Sequence, residues 1–384
     1  MRHTIRPRAP LAALGLACAA ATLTPAAHAA DPVTTIGLAA PLTGGVAHLG
    51  KDDENGARLA VEEINAKGLT IAGRKVVLAL DAEDDAGDPR QATQVAQKLV
   101  DGKAVAVIGH LNSGTSIPAS RIYNDAGVAQ ISPSTTNPTY TQQGFRSTYR
   151  LVATDAQQGP ALANHAARAL KARRVAIVDD STAYGQGLAS EFERQAKALG
   201  MTVVSRDAGT DKTIDFRAIL TKIKGQRPDV IMYGGMDATG GLLARQAAQL
   251  AINAKILAGD GVCTPKVADL AGPAAKSIVC SVAGMPLQKM PQGDAFAKRF
   301  AARFGKPLEV YAPFTYDAVY IIVDAMRRAG STDPRKILAA MPATHYAGII
   351  GDTQFTPNGD LKNATISLYE YVNGKQTLLD VVKM

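Results

Sequence analysis

Small polar residues interrupt an apolar run in the stretch VAVIGHLNSGTSIPAS at residues 105–120. The β-branched residues end at Gly109, and the loop that follows leads into a predicted helix. A strand that turns through glycine into a helix N-terminus offers free backbone N–H groups and the positive end of the helix dipole. This arrangement suits an anion, so the first question is which anion the loop could bind.

Single positions in this loop exclude three familiar kinds of site. A phosphate-binding loop fits Gly109 and Gly114, but Thr115 stands where the lysine is required. A dinucleotide loop needs a second glycine where Leu111 stands, and the same residue breaks a nucleophile elbow around Ser113. A small carboxylate is left as the ligand. The simpler alternative is an ordinary turn in which Ser113 caps the next helix.

A second loop with similar chemistry follows the apolar run VAQIS. The segment SPSTTNP at residues 132–138 contributes Ser134, Thr135 and Thr136. Hydroxyl groups near helix N-termini can hold a carboxylate without a cationic side chain. The same residue types also act as caps and turn formers, but two such loops favour binding.

Asp260 and Tyr184 are the candidates for the opposite charge. Asp260 lies between glycines in GDGV, directly after the run AKILA, and could hold an ammonium group. The alternative is a turn aspartate that bonds its own backbone. Tyr184 in AYGQG could line a cleft and donate a hydrogen bond, or it could be a half-buried tyrosine of the core.

Catalysis and metal binding have little support in the sequence. His110 and Ser113 are three residues apart, but no carboxylate can be named that would orient the histidine. Asp84 and Asp85 precede a helix N-cap and are interpreted as solvated loop charges. The histidines beyond the N-terminal region show no metal-ligand spacing. The sequence therefore predicts no enzyme, no metal and no cofactor.

Strands and helices alternate around these loops. A helix is predicted in the segment at residues 51–68, with Gly68 as its stop, and Asp88 caps a second helix that stops at Gly102. Alternation of short apolar runs with helices predicts parallel sheets. The chain is longer than a single hydrophobic core usually supports, so we expect an α/β fold of two doubly wound lobes. The polar loops all follow strand ends, where open α/β sheets bind ligands, so a cleft between the lobes is expected.

The first residues predict export. Three arginines precede the apolar run LAALGLACAAATL, and AAHAA follows, which indicates a secretory signal peptide over residues 1–29 with cleavage near Ala29 and Ala30. Loss of the three arginines reduces the formal net charge from +8 to +5. The remaining basic residues are scattered, so nucleic-acid binding is not expected.

Cysteine usage agrees with an exported chain. Cys18 leaves with the signal peptide, and a lipoprotein signal at Cys18 is disfavoured because Gly15 stands where a leucine-like residue is normal. Cys263 and Cys280 remain in an oxidising compartment, so we predict that they form a disulfide. Two buried free thiols are the alternative.

Taken together, several segments resemble one family, the exported substrate-binding proteins of ABC transporters for leucine, isoleucine and valine. Each segment alone is weakly specific, but the set extends over essentially the whole mature chain. The segments are ENGARLAVEEINAKG, DDAGDPRQA, VIGHLNSGTSIPAS, QISPSTTNP, TDAQQGP, YGQGLA, YGGMDA and GDGV.

The resemblance implies the type I periplasmic-binding-protein fold, in which three crossings join two lobes that close like a flytrap. We expect one lobe from residues 30–153 and 284–350 and the other from 154–283 and 351–384. The implied protein is a periplasmic monomer that passes a small neutral amino acid to a membrane permease. A ligand-sensing protein of the same fold, a hydrolase that uses the cleft, and a binder of phenylalanine or an amide are the alternatives.

The resemblance also implies roles for particular residues. The ligand carboxylate is assigned to Ser113, Ser134 and Thr136. The ligand ammonium is assigned to Asp260 and Tyr184. The side-chain pocket is assigned to Leu49, Leu111, Asn112 and Met236. Asp260 departs from the glutamate usual in the family, and Leu49 and Met236 stand where aromatic residues are common, which predicts a more adaptable apolar pocket.

Overall fold

The computed structural model describes residues 1–5 and 33–383. Most of the predicted signal peptide at residues 1–29, with its cleavage site, lies outside the described residues. Residues 33–383 belong to one compact unit, and all that follows concerns that unit. In the part of the chain that the structure describes, the helices are too short or too polar to cross a membrane.

Fifteen strands and twelve α-helices alternate along the described chain. The strands are β1 Val33–Ala40, β2 Leu69–Ile71, β3 Arg74–Asp84, β4 Ala106–Gly109, β5 Ala129–Ser132, β6 Thr148–Arg150, β7 Arg174–Asp179, β8 Thr202–Ala208, β9 Val230–Gly234, β10 Lys255–Ala258, β11 Ile278–Val282, β12 His345–Gly348, β13 Gly351–Gln354, β14 Thr365–Val372 and β15 Lys375–Lys383. The helices are α1 Ala47–Lys67, α2 Pro89–Asp101, α3 Ser113–Ala126, α4 Thr139–Gln142, α5 Asp155–Arg168, α6 Ala183–Ala198, α7 Arg217–Gln226, α8 Asp237–Gln249, α9 Pro265–Ala271, α10 Gly293–Phe304, α11 Ala312–Ala329 and α12 Pro334–Ala340.

The strands form two large sheets and one small hairpin. The first sheet has the order β2-β3-β1-β4-β5-β6, and the second has the order β15-β14-β11-β10-β9-β7-β8. Pairing is parallel except at β2, β14 and β15, while β12 and β13 form the hairpin. Alternate residues of β1 and β4 enter different hydrophobic clusters, so helices cover both faces of the first sheet. This confirms the predicted α/β fold with two doubly wound sheets.

Helix boundaries follow the capping signals where these are strong. The side chain of Asp88 accepts hydrogen bonds from the N–H groups of Arg90 and Gln91, as expected for the N-cap of α2. Helix α1 ends at Lys67 as predicted but begins at Ala47, four residues before the predicted start. Gly50 lies inside it, where an added Cβ would stand 2.1 Å from the carbonyl oxygen of Pro41. This glycine therefore allows close packing and does not mark a helix boundary.

The chain passes between the two sheets three times. The passages follow β6, follow β11, and lie between β13 and β14, while α10 and α11 return to pack on α1 beside the first sheet. A backbone hydrogen bond of 3.0 Å from the N–H of Ala153 to the oxygen of Ala283 joins the first two passages. The residue boundaries given above for the two lobes stay a prediction.

The interpretation of Asp85 as a solvated loop charge is wrong, because the structure buries this side chain. Both Asp85 and His110 are fully buried, and Oδ2 of Asp85 lies 2.6 Å from Nδ1 of His110. The other ring nitrogen of His110 lies 3.0 Å from the hydroxyl of Tyr123. Asp84 is half-buried and accepts hydrogen bonds from the N–H groups of Leu42 and Ala86, so it holds a turn.

The predicted disulfide is present. Cys263 follows β10, Cys280 belongs to β11, and the bond between them closes a loop with a sequence separation of 17. Both cysteines are fully buried. The bond therefore links the loop after one strand to the neighbouring strand of the second sheet.

We predict that the purified chain from residue 30 onward has no thiol that reacts under denaturing conditions without reductant, and two after reduction. Replacement of both cysteines, Cys263→Ala with Cys280→Ala, is expected to lower the free energy of unfolding by about 3 kcal/mol, because the loop closure no longer limits the unfolded chain. Thiol titration and urea unfolding check this. Two reactive thiols before reduction would contradict the disulfide.

Candidate functional site

The polar loops singled out in the sequence lie at the carboxyl ends of strands in both sheets. In the first sheet, β4 ends at Gly109 with a φ of 120°. An added Cβ at Gly109 would stand 2.2 Å from the carbonyl oxygen of Ala39 on β1, so only glycine allows this close approach. The chain then turns directly into α3, whose first residue is Ser113.

The N-terminus of α3 is not capped by its own N-cap side chain. Asn112 makes no side-chain hydrogen bond to the first turn, so the N–H groups of Ser113 and Gly114 receive no side-chain cap, while the N–H of Thr115 donates to the Asn112 carbonyl oxygen at 3.1 Å. The Ser113 hydroxyl oxygen accepts a hydrogen bond of 3.3 Å from the N–H of Asn137, which leaves its proton free to donate. The Thr136 hydroxyl is fully buried beside the Asp155 carboxylate, whose pKa is raised by burial and lowered by this hydroxyl. The Ser134 hydroxyl, in contrast, donates to the carbonyl oxygen of Leu111 at 2.8 Å.

The buried side chain of Arg150 holds the backbone of the loop at residues 132–138. Its guanidinium is fully buried and donates to the carbonyl oxygens of Thr135 at 2.6 Å and Asn137 at 3.1 Å. Its Nε donates to Asp360 at 2.7 Å. Burial lowers the pKa of Arg150, and the Asp360 carboxylate opposes that shift. The buried charge is therefore used to hold the backbone of the loop that carries Ser134 and Thr136.

Asp260 lies in the second sheet's loop after β10 and is almost fully buried. Its Oδ1 accepts hydrogen bonds from Gln158 Nε2 at 3.0 Å and from the Tyr184 hydroxyl at 2.9 Å. Its Oδ2 accepts from the Tyr311 hydroxyl at 2.8 Å. Burial raises the pKa of Asp260, while the three hydrogen bonds lower it. Among the described residues no cation lies within ion-pair distance of this carboxylate, so its charge is stabilised by neutral donors alone.

Two further contacts orient these donors. The Ser281 hydroxyl donates to Oε1 of Gln158 at 2.7 Å, which directs the amide N–H group of Gln158 toward Asp260. Asp52 of α1 accepts four backbone N–H groups from residues 309–312, at 2.8 to 3.0 Å. Burial raises the pKa of Asp52, and these four hydrogen bonds oppose it. Helix α1 thus fixes the segment that carries Tyr311.

These side chains surround a small cavity of about 10 Å³ between the loops of the two sheets. Its lining consists of Leu111, Asn112, Ser113, Ser134, Tyr184, Met236, Asp260, Gly261 and Tyr311. The volume is about that of one water. A ligand with the size of an amino acid therefore requires the loops of the two sheets to move apart and close around it.

Seven of the nine residues assigned to the ligand by resemblance line this cavity. Leu49 and Thr136 do not: both are fully buried, Leu49 in the hydrophobic core and Thr136 in the loop after β5. Their roles stay predictions, as do those of the other seven. Gly261 and Tyr311 complete the lining and were not expected from the sequence. Tyr311 precedes a helix and does not follow a strand, so a search of strand ends misses it.

The geometry does not favour His110 as a general base toward Ser113. Both ring nitrogens of His110 are engaged, by Asp85 and by Tyr123. Within residues 1–5 and 33–383, no three histidine, cysteine or acidic side chains are grouped so that they could hold a metal ion. The site offers one buried carboxylate, hydroxyl groups and a helix N-terminus, which are groups for binding.

Comparisons with known proteins agree with this class of site. The profile of the periplasmic binding protein family matches residues 33–376. The chain is 38% identical over 353 residues to the Leu/Ile/Val-binding protein BraC3 of Rhizobium johnstonii, covering 91% of this chain and 94% of the relative. The chain belongs to the periplasmic binding protein family.

Solved structures give the same result for the fold. The leucine binding protein LivK of Thermotoga maritima has a TM-score of 0.84 and 28% identity, covering 91% of this chain and 98% of that protein. The branched-chain amino acid transporter substrate binding protein LivJ of Streptococcus pneumoniae, in complex with isoleucine, has a TM-score of 0.83 and 27% identity. Its alignment covers 92% of this chain and 100% of that protein.

We predict that Arg150→Leu lowers the free energy of unfolding by about 3 kcal/mol, because it leaves two loop carbonyl oxygens and Asp360 without their charged donor. Urea unfolding of the purified protein measures the change. The matched control is Arg121→Leu, which removes an exposed ion pair with Asp125 on α3 and is expected to change stability little. Equal unfolding midpoints for the two variants would contradict the prediction.

Proposed function

We propose that this protein captures leucine, isoleucine or valine between its two lobes in the periplasm and delivers the amino acid to the permease of an ABC transporter. The observation that carries the proposal is Asp260, a buried carboxylate with neutral donors only, across a small cavity from the open N-terminus of α3. An amino acid carries the two charges that this pair of groups can bind.

The two ends of the cavity have opposite preferences. At one end, Asp260 would accept the ligand ammonium, with the Tyr184 and Tyr311 hydroxyls beside it. At the other end, the first N–H groups of α3 and the Ser113 hydroxyl would donate to the ligand carboxylate. Thr136, on the loop after β5, would add a buried hydroxyl. In this assignment Ser134 contributes through its backbone, because its hydroxyl proton already bonds to Leu111.

The remaining wall supports an aliphatic side chain on the ligand. Leu111 and Met236 line the cavity and give it an apolar surface, and Leu49 belongs to the hydrophobic core. The flexible methionine can adapt to leucine, isoleucine or valine. The names of the relatives agree with this preference, since BraC3 and the two solved proteins are described as binding branched-chain amino acids or leucine.

The role as a transport protein also defines the expected oligomeric state, lobe closure and export. The protein acts as a monomer that binds and releases its ligand unchanged, without a cofactor and without catalysis. Its lobes comprise residues 30–153 with 284–350 and residues 154–283 with 351–384, and they close on the ligand through the three passages of the chain. Export depends on the signal peptide at residues 1–29.

We predict that leucine, isoleucine and valine raise the melting temperature of the chain from residue 30 onward, after it has been unfolded and refolded to remove any ligand carried over from expression. Binding to the folded state alone stabilises it by about 2.7 kcal/mol at a hundredfold excess over Kd. A scan of the twenty amino acids measures the effect. A shift with other amino acids would change the substrate and keep the mechanism, and no shift with any amino acid would contradict the proposal.

We predict that Asp260→Ala weakens leucine binding by roughly 2–5 kcal/mol, because a buried ammonium would lose its counter-charge. Tyr311→Phe is the matched control. It removes one neutral donor and keeps the carboxylate, so its effect is expected to be about 0.5–1.5 kcal/mol. Isothermal titration calorimetry of both variants gives the comparison. Unchanged affinity in Asp260→Ala would remove Asp260 from the site.

Two further measurements separate transport from the alternatives. Loss of leucine uptake on deletion of the gene is expected for a transport component, while a ligand-sensing protein would leave uptake unchanged. Recovery of chemically unaltered leucine after long incubation with the protein is expected for a binding protein. A hydrolysed or otherwise changed ligand would overturn the assignment as a protein without catalysis.

A further inference from the structure

Gln158 of α5 is a fully buried glutamine that contacts Asp260 without lining the cavity. Its Nε2 donates to Oδ1 of Asp260 at 3.0 Å, and its Oε1 accepts the hydroxyl proton of Ser281 at 2.7 Å. Ser281 is also fully buried and belongs to β11. Helix α5 packs on β10 and β11, which are neighbouring strands of the second sheet, and Asp260 follows β10. The contact therefore lies within the elements of the second sheet and does not cross the cleft.

The orientation of the Gln158 amide follows from its two partners. A charged carboxylate only accepts hydrogen bonds, so the NH₂ group of the amide must face Asp260. With the amide reversed, its oxygen would lie 3.0 Å from Oδ1 of Asp260, and two acceptors would oppose each other. On the other side, Ser281 has a hydroxyl proton for the amide oxygen, and the carbonyl oxygen of Ala258, at 3.4 Å, is the more distant acceptor for that proton. Both partners thus favour the same orientation.

The donors divide unequally between the two carboxylate oxygens of Asp260. Oδ1 accepts from Gln158 and from the Tyr184 hydroxyl, whereas among the described residues Oδ2 accepts only from the Tyr311 hydroxyl. Each carboxylate oxygen offers about two acceptor sites. Oδ1 is therefore occupied, and Oδ2 keeps a site for one further donor. Because Asp260 lines the cavity, a ligand ammonium could reach that site.

Other ionisable groups also face this carboxylate. Burial and the Asp260 charge raise the pKa of Tyr184 on α6 and of Tyr311 before α11, so both phenols stay neutral donors. The charge of Asp53 on α1 acts in the same direction on Tyr311. Asp155, the first residue of α5, is fully buried, and burial raises its pKa, with a further contribution from the Asp260 charge. Asp260 is thus held near a second acidic group, and its own donors decide whether it stays charged.

We propose that Gln158 is a positioning residue for the ligand ammonium: oriented by Ser281, its amide occupies Oδ1 of Asp260 and so directs the ammonium to Oδ2 of a charged carboxylate. The inference rests on the function proposed above, which assigns the ammonium to Asp260. Burial raises the pKa of Asp260, and of the hydrogen bonds that lower it, the one from Gln158 contributes most. Loss of this donor therefore raises that pKa further. Since the ammonium binds the charged carboxylate, ligand affinity is then lost at a higher pH on acidification.

The test measures leucine affinity by calorimetry for the wild type and for Gln158→Leu from about pH 4, near the ordinary aspartate pKa, to about pH 8. The substitution keeps most of the side-chain volume and removes the donor. The pH at which affinity has fallen to half its neutral value is expected to lie about one unit higher in the variant. An unchanged midpoint would overturn the proposal, whatever the change in affinity at neutral pH.

The matched control is Gln246→Leu. Gln246 of α8 is another buried glutamine beside the second sheet, but its partners are backbone groups. It accepts from the N–H of Phe216 at 2.7 Å and donates to the carbonyl oxygen of Ile214 at 2.8 Å. This variant is expected to keep the wild-type midpoint even where it lowers stability. A midpoint raised equally in the control would attribute the shift to lost stability and overturn the proposal.

A second variant, Ser281→Ala, keeps Gln158 and removes only the hydroxyl that orients its amide. The midpoint is expected to move in the same direction as in Gln158→Leu but by less, because the amide can still donate to Asp260. This variant also tests the proposal if Gln158→Leu does not fold. A midpoint equal to that of the wild type would show that Ser281 does not orient the amide, contrary to the proposal.

A measurement without ligand separates this proposal from the proposed function. If leucine does not bind the wild type, the assignment of the ligand fails, but the carboxyl carbon of Asp260 can still be titrated by NMR in the free protein. Its signal is assigned by its loss in Asp260→Asn. The midpoint is expected to be about one pH unit higher in Gln158→Leu than in the wild type. Equal midpoints would overturn the role of Gln158.

Discussion

The buried carboxylate of Asp260 is the constraint on which the arrangement of the site depends. A charge removed from water must be stabilised where it lies, and here three neutral donors share that task. Gln158 and Tyr184 approach from the elements of the second sheet, and Tyr311 approaches from the segment that α1 holds beside the first sheet. Both halves of the protein therefore contribute hydrogen-bond donors to this one carboxylate. Its stabilisation depends on how far the cleft is closed.

Two other buried charges, Asp52 and Arg150, stabilise backbone segments. Asp52 satisfies four N–H groups at the start of α11, and Arg150 satisfies two carbonyl oxygens of the loop after β5. Each of these charges holds one irregular backbone segment in a fixed position, so no additional apolar packing is needed there. The loops at the cleft can then stay small and polar. Their shape is set by charges that do not line the cavity.

Local signals account for the parts of the fold that the sequence predicts well. Asp88 caps α2 through its own neighbours, Gly109 is required by contact with an adjacent strand, and the disulfide follows from the compartment and the cysteine count. Other features depend on distant partners. The burial of Asp85 requires His110, which lies 25 residues away. Tyr311 contacts Asp260 from 51 residues away. It lies just before a helix and not after a strand, so the strand pattern does not indicate it. The spacing of residues in the sequence does not predict such long-range contacts.

The two tyrosines on Asp260 have a consequence for how the protein can be observed. The chain contains no tryptophan, so eleven tyrosines dominate its near-ultraviolet absorption and its emission. Tyr184 and Tyr311 donate their hydroxyl protons to the same carboxylate, and both lie in the cavity wall. A cation bound to this carboxylate would lie beside both phenols at once and so change the environment of each. Binding at Asp260 would then be observable in the tyrosine absorption and emission, without a label and without a competing indole.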